Sequence, residues 1–282
     1  QRPDFDKFAG AAYSLAFDAW NPDGKVNQIG TVHNLGENFA KVFEIAYEDL
    51  DGSQRNVVQT CYGFGISRTL AAIIAQHGDD HGLVLPPEIA PTQVVIVPIP
   101  YKGVETEIIA YSKKIFETLK EAVFRAFLDD REKVQPGEKF YHWEMLGVPV
   151  RVEVGPRDLK ENRVTLSRRD TLERSTVPFD QVVPAIHDLF SKIMENLSER
   201  SRKALEDVIV QVGDIKALKR AIRQRKIAQI NWCENEECAE KIKQEGGGEV
   251  RGHRFNTQEE PTGPCLICGK EAKKQVYVAR AY

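Results

Sequence analysis

The rhythm of polar and apolar positions changes three times along this 282-residue chain. Near the start it alternates. Ala12-Tyr13-Ser14-Leu15-Ala16-Phe17-Asp18-Ala19-Trp20 reads as a half-buried strand, a Pro22-Asp23-Gly24 turn follows, and residues 25–30 resume the alternation. A second strand pair is predicted over 42–47 and 56–60, around the turn Asp49-Leu50-Asp51-Gly52. Together these predict an antiparallel sheet closed by a helix that begins near Arg68. The Pro86-Pro87 and Ala90-Pro91 steps oppose helix and end this first segment, 1–90.

Beyond it, residues 93–99 form a short unbroken apolar run of the buried-strand type, and 104–127 carry helical periodicity. Alternation returns over 148–154 and 163–167, and a helix is predicted from 181 to about 196. That order predicts a compact α/β domain over 91–196. Within it, the stretch from Gly137 to Leu159 mixes aromatics, glycines and charges and reads as strand edges. Both a hairpin with solvated charges and a base-recognition edge fit it. The third segment, 197–282, opens with a basic helical stretch over 200–226 in which Ile215, Leu218 and Ile222 mark a buried face. Its cationic side, including Lys216, Lys219, Arg220 and Arg223, suits either a solvated surface or RNA.

Length and a 41% hydrophobic content allow more than one core. A formal charge of -3 excludes a uniformly basic coat, so any nucleic-acid contact has to come from local patches. No apolar run has the length of a membrane span, and Gln1-Arg2-Pro3-Asp4 does not read as a signal peptide. A cytoplasmic protein without a membrane partner is therefore expected.

Four of the five cysteines fall in the pattern Cys233-x4-Cys238 and Cys265-x2-Cys268, either side of a glycine-rich insert. Two close pairs suit tetrahedral thiolate coordination of Zn²⁺, and disulfides suit a chain without a secretory signal less well. Cys61 reads as a small buried side chain beside the segment Gly63-Phe64-Gly65-Ile66-Ser67-Arg68. In that segment a strand feeds a glycine-spaced turn and an arginine stands at the mouth of a helix. Backbone N–H groups, the helix dipole and a guanidinium there make a site for phosphate; a tight turn with a solvated Arg68 is the plain alternative. No Ser/His/Asp or Cys/His nucleophilic arrangement is visible, and Asp79-Asp80 with His77 and His81 reads as a helix-end turn.

Gly63-Phe64-Gly65-Ile66-Ser67-Arg68 resembles motif 3 of the class II aminoacyl-tRNA synthetases. Two longer blocks, Gln28-Ile29-Gly30-Thr31-Val32-His33-Asn34-Leu35-Gly36-Glu37-Asn38-Phe39-Ala40-Lys41 and His77-Gly78-Asp79-Asp80-His81-Gly82-Leu83-Val84-Leu85-Pro86-Pro87, are similar to the prolyl-tRNA synthetases. The C-terminal Arg280-Ala281-Tyr282 is similar to their archaeal and eukaryotic type, in which the terminal tyrosine carboxylate reaches toward the catalytic domain. The words around Cys61 and Tyr62 are closer to the bacterial motif 3. The resemblance implies an antiparallel α+β portion of a class II catalytic domain over 1–90, an α/β anticodon-binding domain over 91–196, and a small structural zinc domain over 197–282.

By the same resemblance Arg68 is the catalytic clamp on the triphosphate of ATP, which arrives with Mg²⁺, and Gln28 and Thr31 face adenosine. His33 and Phe8, the latter in Lys7-Phe8-Ala9-Gly10, wall the proline pocket, while Glu144, Arg151 and Arg157 read the anticodon of tRNA(Pro). The implied activity is ATP-dependent attachment of proline to tRNA(Pro) through prolyl-adenylate, by a homodimer. Motifs 1 and 2 are not found, so the resemblance implies the C-terminal portion of a longer synthetase, inactive by itself. A non-catalytic tRNA-binding fragment or relative that keeps the anticodon and zinc domains is the alternative.

Overall fold

A computed structural model describes residues 1–257 and 259–282. In chain order its elements begin with β1 (Tyr13–Trp20), β2 (Lys25–Gly36), α1 (Asn38–Val42), β3 (Ala46–Glu48), β4 (Gln54–Asn56), β5 (Gln59–Phe64) and α2 (Ile66–His77). There follow β6 (Val94–Pro98), α3 (Glu105–Glu121), β7 (Ala126–Leu128), α4 (Pro136–Met145), β8 (Val150–Val154), α5 (Pro156–Lys160), β9 (Arg163–Arg168), β10 (Arg174–Pro178) and α6 (Val182–Val208). The chain ends with β11 (Ile209–Gln211), α7 (Ile215–Arg223), β12 (Ile227–Trp232), α8 (Glu236–Lys241), β13 (Glu249–Gly252) and β14 (Lys274–Ala281). These elements make two compact units, one of Gln1–Ala72 with Ala204–Tyr282 and the other of Ile73–Lys203. The first and third sequence segments thus contribute to the same unit.

In the first unit β1 and β2 form the predicted hairpin, with Tyr13 opposite Asn34 and Trp20 opposite Val26. The turn between them needs its glycine, because Gly24 has φ +86° and a Cβ there would lie 2.4 Å from Arg225 Cβ. One edge of β2 is then shared. Its C-terminal half, from Gly30 to Gly36, pairs antiparallel with β5, and its first residues, Lys25 and Val26, pair in parallel with Arg280 and Ala281 of β14. β14 also pairs antiparallel with β12 and with β13, and β11 lies parallel to β12. The amphipathic α7 buries Leu218, Ala221 and Ile222 on this sheet with Ile230, Trp232, Ile242 and Val278, and Lys216, Lys219, Arg220 and Arg223 stay exposed. The basic stretch is therefore two helices, the end of α6 and α7, separated by β11.

The predicted pairing of 42–47 with 56–60 is replaced by something shorter. Asn38–Val42 is helical, β3 and β4 make a hairpin of three-residue strands, and Gln59–Phe64 leaves it to join β2. Val42 and Phe43 are 76% and 67% exposed, so no core holds that run as strand, and Glu44 reverses the chain at φ +54°.

The second unit is one sheet in the order β10-β9-β8-β6-β7, with β6 parallel to β7 and β8 and the rest antiparallel. Every residue of β6 is buried, as its unbroken apolar run predicts. Val94, Ile96, Val150, Val152 and Val154 meet α3 and α6 through Ile108, Ile115, Leu119, Ile186 and Ile193. On the other face Val95 and Val97 meet Trp143 and Phe140 of α4. Helical periodicity over 104–127 overran because Phe124 keeps the core spacing, whereas the chain leaves α3 at Val123, with φ +64° and its N–H on Lys120 O, to enter β7.

The stretch expected as strand edges is helix up to Met145. Pro136 occupies the first turn, where its missing N–H is no loss. Lys139 and Trp143, one turn apart, both reach Asp129: Lys139 Nζ donates to its carbonyl at 2.8 Å and Trp143 Nε1 to its carboxylate at 2.8 Å. Burial opposes ionisation of Asp129, but the Arg131 and Trp143 hydrogen bonds and the charges of Lys139 and Arg131 prevail and bring its pKa to about 2. Because that value is depressed below the ordinary 3.8, the stabilisation is present above about pH 4 and is lost as the pH falls toward 2. We expect Asp129→Asn to lower stability at neutral pH by about 3 kcal/mol, since it leaves buried Lys139 without its anion. Urea unfolding of both proteins across pH 2–7 checks this, with the two curves converging near pH 2; a constant offset would show that the carboxylate charge is not the cause.

Candidate functional site

In the first unit the glycine turn at the end of β5 brings the phosphate-motif residues onto the face of β2. Gly65 N–H donates to Ile29 O at 2.8 Å, so that amide is committed to the sheet and not to an anion. The amides of the first turn of α2, which have no partner within the helix, stand beside the exposed Arg68. Arg68 packs its stem over Gly65, where a Cβ would lie 3.2 Å from Arg68 Cβ, and Nη1 donates to Gln28 O at 3.2 Å. Asn27 Nδ2 donates to Arg68 O at 3.0 Å and ties the helix mouth to the same strand. Thr31 lies opposite Gly63, whose Cβ would come within 3.0 Å of Thr31 Oγ1, so only glycine leaves that hydroxyl free of contact. Arg68 is therefore tied to the backbone of Gln28, and Thr31 lies three residues further along the same strand.

Gln28 also accepts a hydrogen bond from Arg2 Nη2, and Arg2, with its side chain 6% exposed, pairs with Asp6 at 3.2 Å and Asp18 at 3.4 Å. Asp18 in turn accepts from Arg251 Nε of β13 at 2.8 Å. Arg2, Asp18 and Arg251 sit in no motif, and their distance along the chain gives no sequence signal. Further along β2, His33 is buried, its Nδ1 lies 2.7 Å from Ser14 Oγ, and its ring packs at 4.8 Å on Phe8. Phe8 N–H donates to the same Ser14 Oγ at 2.9 Å. Phe8 is 45% exposed, so its ring covers His33 from the solvent side and is not a core residue. Cys61, opposite His33 in the register, is half-buried.

The C-terminal strand reaches this sheet, and it is the hydroxyl of Tyr282 that makes the contact. Tyr282 Oη donates to Asp23 Oδ2 at 2.7 Å, and Lys25 Nζ stands 4.7 Å over its ring. At the other end of the β12–β14 ladder the four cysteines converge. Their Sγ atoms lie within 4.8 Å of one another, with 3.7 Å between Cys233 and Cys238 and 3.6 Å between Cys233 and Cys268. A tetrahedron of thiolates about 2.3 Å from a zinc ion has edges of about 3.8 Å. All four are free thiols, so the disulfide alternative is not what the structure adopts. Burial pushes the Cys238 thiol up; at Cys265 burial does the same, but N–H groups of Cys268 and Ile267 aimed at the sulfur prevail and bring it to about 7. The cluster could hold a metal ion.

In the second unit Glu144 on α4 and Arg151 on β8 meet on the α4 face of the sheet. Arg151 Nη1 lies 2.7 Å from Glu144 Oε1, Nε donates to Glu153 Oε1 at 3.0 Å, and the guanidinium stacks 4.1 Å over Phe140. β8 is an interior strand between β6 and β9, so the expected strand edge is corrected to a helix set against the middle of a sheet. Arg157 stands on α5, exposed.

Comparison with known proteins gives three matches in sequence. Residues 3–77 match the tRNA synthetase class II core domain (G, H, P, S and T), 93–189 an anticodon binding domain, and 215–282 the C-terminal domain of prolyl-tRNA synthetase. Proline–tRNA ligases of Pyrococcus horikoshii and Thermococcus kodakarensis are 47% and 44% identical over 100% of the chain, and that of Methanosarcina mazei is 45% identical. The chain belongs to the prolyl-tRNA synthetase family. It spans 59% of the length of the first two relatives and 58% of the third. Among the described residues no helix is long and apolar enough to cross a membrane.

In this prolyl-tRNA synthetase chain the polar link between Phe8 and His33 is Ser14, 2% exposed and shared by Phe8 N–H and the His33 ring. Ser14→Ala leaves the buried His33 ring and the partly buried Phe8 N–H without this partner, and we expect a loss of about 1–3 kcal/mol in unfolding free energy. An unchanged urea midpoint would show that water or a shifted backbone satisfies them.

Proposed function

We propose that the intact protein is a proline–tRNA ligase, and that this chain carries its triphosphate clamp, one wall of its proline pocket, its anticodon reader and a structural zinc site. The observation that carries the reading is that Arg68 at the helix mouth bonds β2 at Gln28, on the same strand as Thr31 and as His33, which packs on Phe8. A module that only binds tRNA has no physical need for a cationic helix mouth next to an aromatic pocket.

The reaction is positional. A proline carboxylate oxygen attacks the α-phosphorus of ATP, pyrophosphate leaves, and a ribose hydroxyl at the end of tRNA(Pro) then attacks the activated carbonyl and releases AMP. Arg68 and the first amides of α2 hold the leaving phosphates of the Mg²⁺ complex, and Gln28 and Thr31 contact the nucleoside. Phe8 packs on the pyrrolidine ring, with His33 held by Ser14 behind it. At the other site Glu144 accepts from the Watson–Crick donors of an anticodon guanine, Arg151 braces that carboxylate, and the exposed Arg157 takes a neighbouring base or phosphate. Family membership supports a cytoplasmic homodimer as the working form.

Arg68→Ala in the intact protein should raise the KM for ATP in proline-dependent pyrophosphate exchange by about ten- to a hundred-fold, from loss of a charge-assisted bond of about 1.5–3 kcal/mol. Unchanged exchange at limiting ATP would exclude the clamp. The metal we assign is Zn²⁺, held by Cys233, Cys238, Cys265 and Cys268, where it supplies cross-linking and no chemistry. Metal analysis of protein prepared without chelator should give one zinc per chain, and its removal should speed amide exchange from about residue 230 onward while sparing β6 to β10. A zinc-free protein with the same exchange pattern would count against it.

A further inference from the structure

The block His77-Gly78-Asp79-Asp80-His81-Gly82-Leu83 has no part in the functions above, yet the structure fastens it to the residue that reads the anticodon. Asp79 forms a two-pronged pair with Arg169, 2.8 Å from Nη1 and 2.5 Å from Nη2, and Arg169, with its side chain 2% exposed, donates from Nε to the backbone carbonyl of Glu144 at 2.9 Å. The Asp79 carboxylate also accepts His81 N–H at 2.9 Å. Hydrogen bonds from Arg169 are the main reason that the Asp79 pKa falls to about 2, so the anion is constant at physiological pH.

Two glycines press the block against the end of α4. A Cβ at Gly82, which has φ +128°, would lie 2.4 Å from Met145 Cα, and one at Gly147, with φ +72°, would lie 2.7 Å from Leu83 Cβ. Leu83 N–H donates to Met145 O at 3.0 Å. The result is that His81 Nδ1 stands 3.8 Å from Glu144 Oε2 while Arg151 holds Oε1 at 2.7 Å. A carboxylate has about four lone-pair positions; Arg151 takes one by a hydrogen bond, and the imidazole of His81, beyond hydrogen-bond distance, borders Oε2 and limits rotation of the group while acceptor sites stay open toward solvent. The Glu144 side chain keeps 14% of its surface, enough for an edge-on contact.

We propose that Asp79, Arg169 and His81 are positioning and specificity-determining residues for anticodon recognition, holding the Glu144 carboxylate in the plane that accepts guanine donors and refuses adenine. The proposal rests on the reading of Glu144 as a base contact. Guanine offers N1–H and N2–H₂ to a carboxylate, whereas adenine presents a bare N1 there, so an unfixed carboxylate that can rotate or admit water loses this discrimination first.

The test uses the intact protein with tRNA(Pro) transcripts in which one anticodon guanine at a time is replaced by adenine. For His81→Ala and Asp79→Asn we expect the ratio of kcat/KM between native and altered tRNA to fall by about ten-fold, through a raised KM for the native tRNA, with proline-dependent pyrophosphate exchange unchanged. Glu144→Gln separates the two layers. If it abolishes discrimination while both clamp variants keep it, the clamp is wrong and the base contact stands; if it leaves discrimination intact, both fall. An equal loss with every tRNA and in exchange would reduce the block to a folding role, and because His81 is 46% exposed its variant should fold even if Asp79→Asn does not.

Discussion

The pairing of β14 is the constraint on which the first unit depends. This one strand is hydrogen-bonded to β12 and β13 along most of its length and then runs on to pair with Lys25 and Val26 of β2. Each backbone bond contributes only about 1 kcal/mol net, but leaving a buried ladder unpaired costs more than making it gains, so the strand cannot be withdrawn piecemeal. Its side chains add to the lock: Val276 and Val278 lie in the core under α7, and Ala279 packs with Val26, Val208 and Ile227 where the two halves of the sheet meet. The cysteine cluster is at the opposite end of the same ladder, since Trp232, next to Cys233, is opposite Lys274. A cation there would fix the far end of a strand whose near end braces β2.

This connection gives the C-terminal module a chemical consequence for the strand that carries Gln28 and Thr31. Arg251 of β13 reaches Asp18, Asp18 faces Arg2, and Arg2 bonds Gln28. The chain of charges is largely buried, where partners left alone are expensive and partners kept together hold each other in one geometry. The Gln28 side chain is thereby set by residues from the two ends of the sequence. His33 is set more locally, by Ser14 on the adjacent strand and Phe8 just before it.

The second unit sorts its chemistry by the two-residue period of β8. Val150, Val152 and Val154 face α3 and α6, while Arg151 and Glu153 face α4. Burying two charges in the middle of a sheet is tolerated because Glu144, Ser167 and Arg174 complete the set and Phe140 covers the guanidinium. The position of Glu144 then depends on α4, and α4 depends on Asp129 below it and Arg169 beside it.

Local patterns in the sequence determined the elements whose stability is local. The β1–β2 hairpin, the unbroken apolar strand β6, the apolar stripe of α7, the glycine turn before Arg68 and the paired cysteines all follow from spacing, because periodicity, turn chemistry and ligand separation act over a few residues. Tertiary structure decided what contact at a distance controls. Residues 42–45 lost their strand for want of a core to cover it, 137–145 became helix because Asp129 offers a partner to both Lys139 and Trp143, and Arg151 went to an interior strand instead of an edge. The joining of the first and last segments in one sheet, and the tie between the Asp79 block and Glu144, are likewise absent from any window of sequence. Such pairings are chosen by the complementary groups that folding brings within reach, and a linear pattern carries no record of which distant partner that will be.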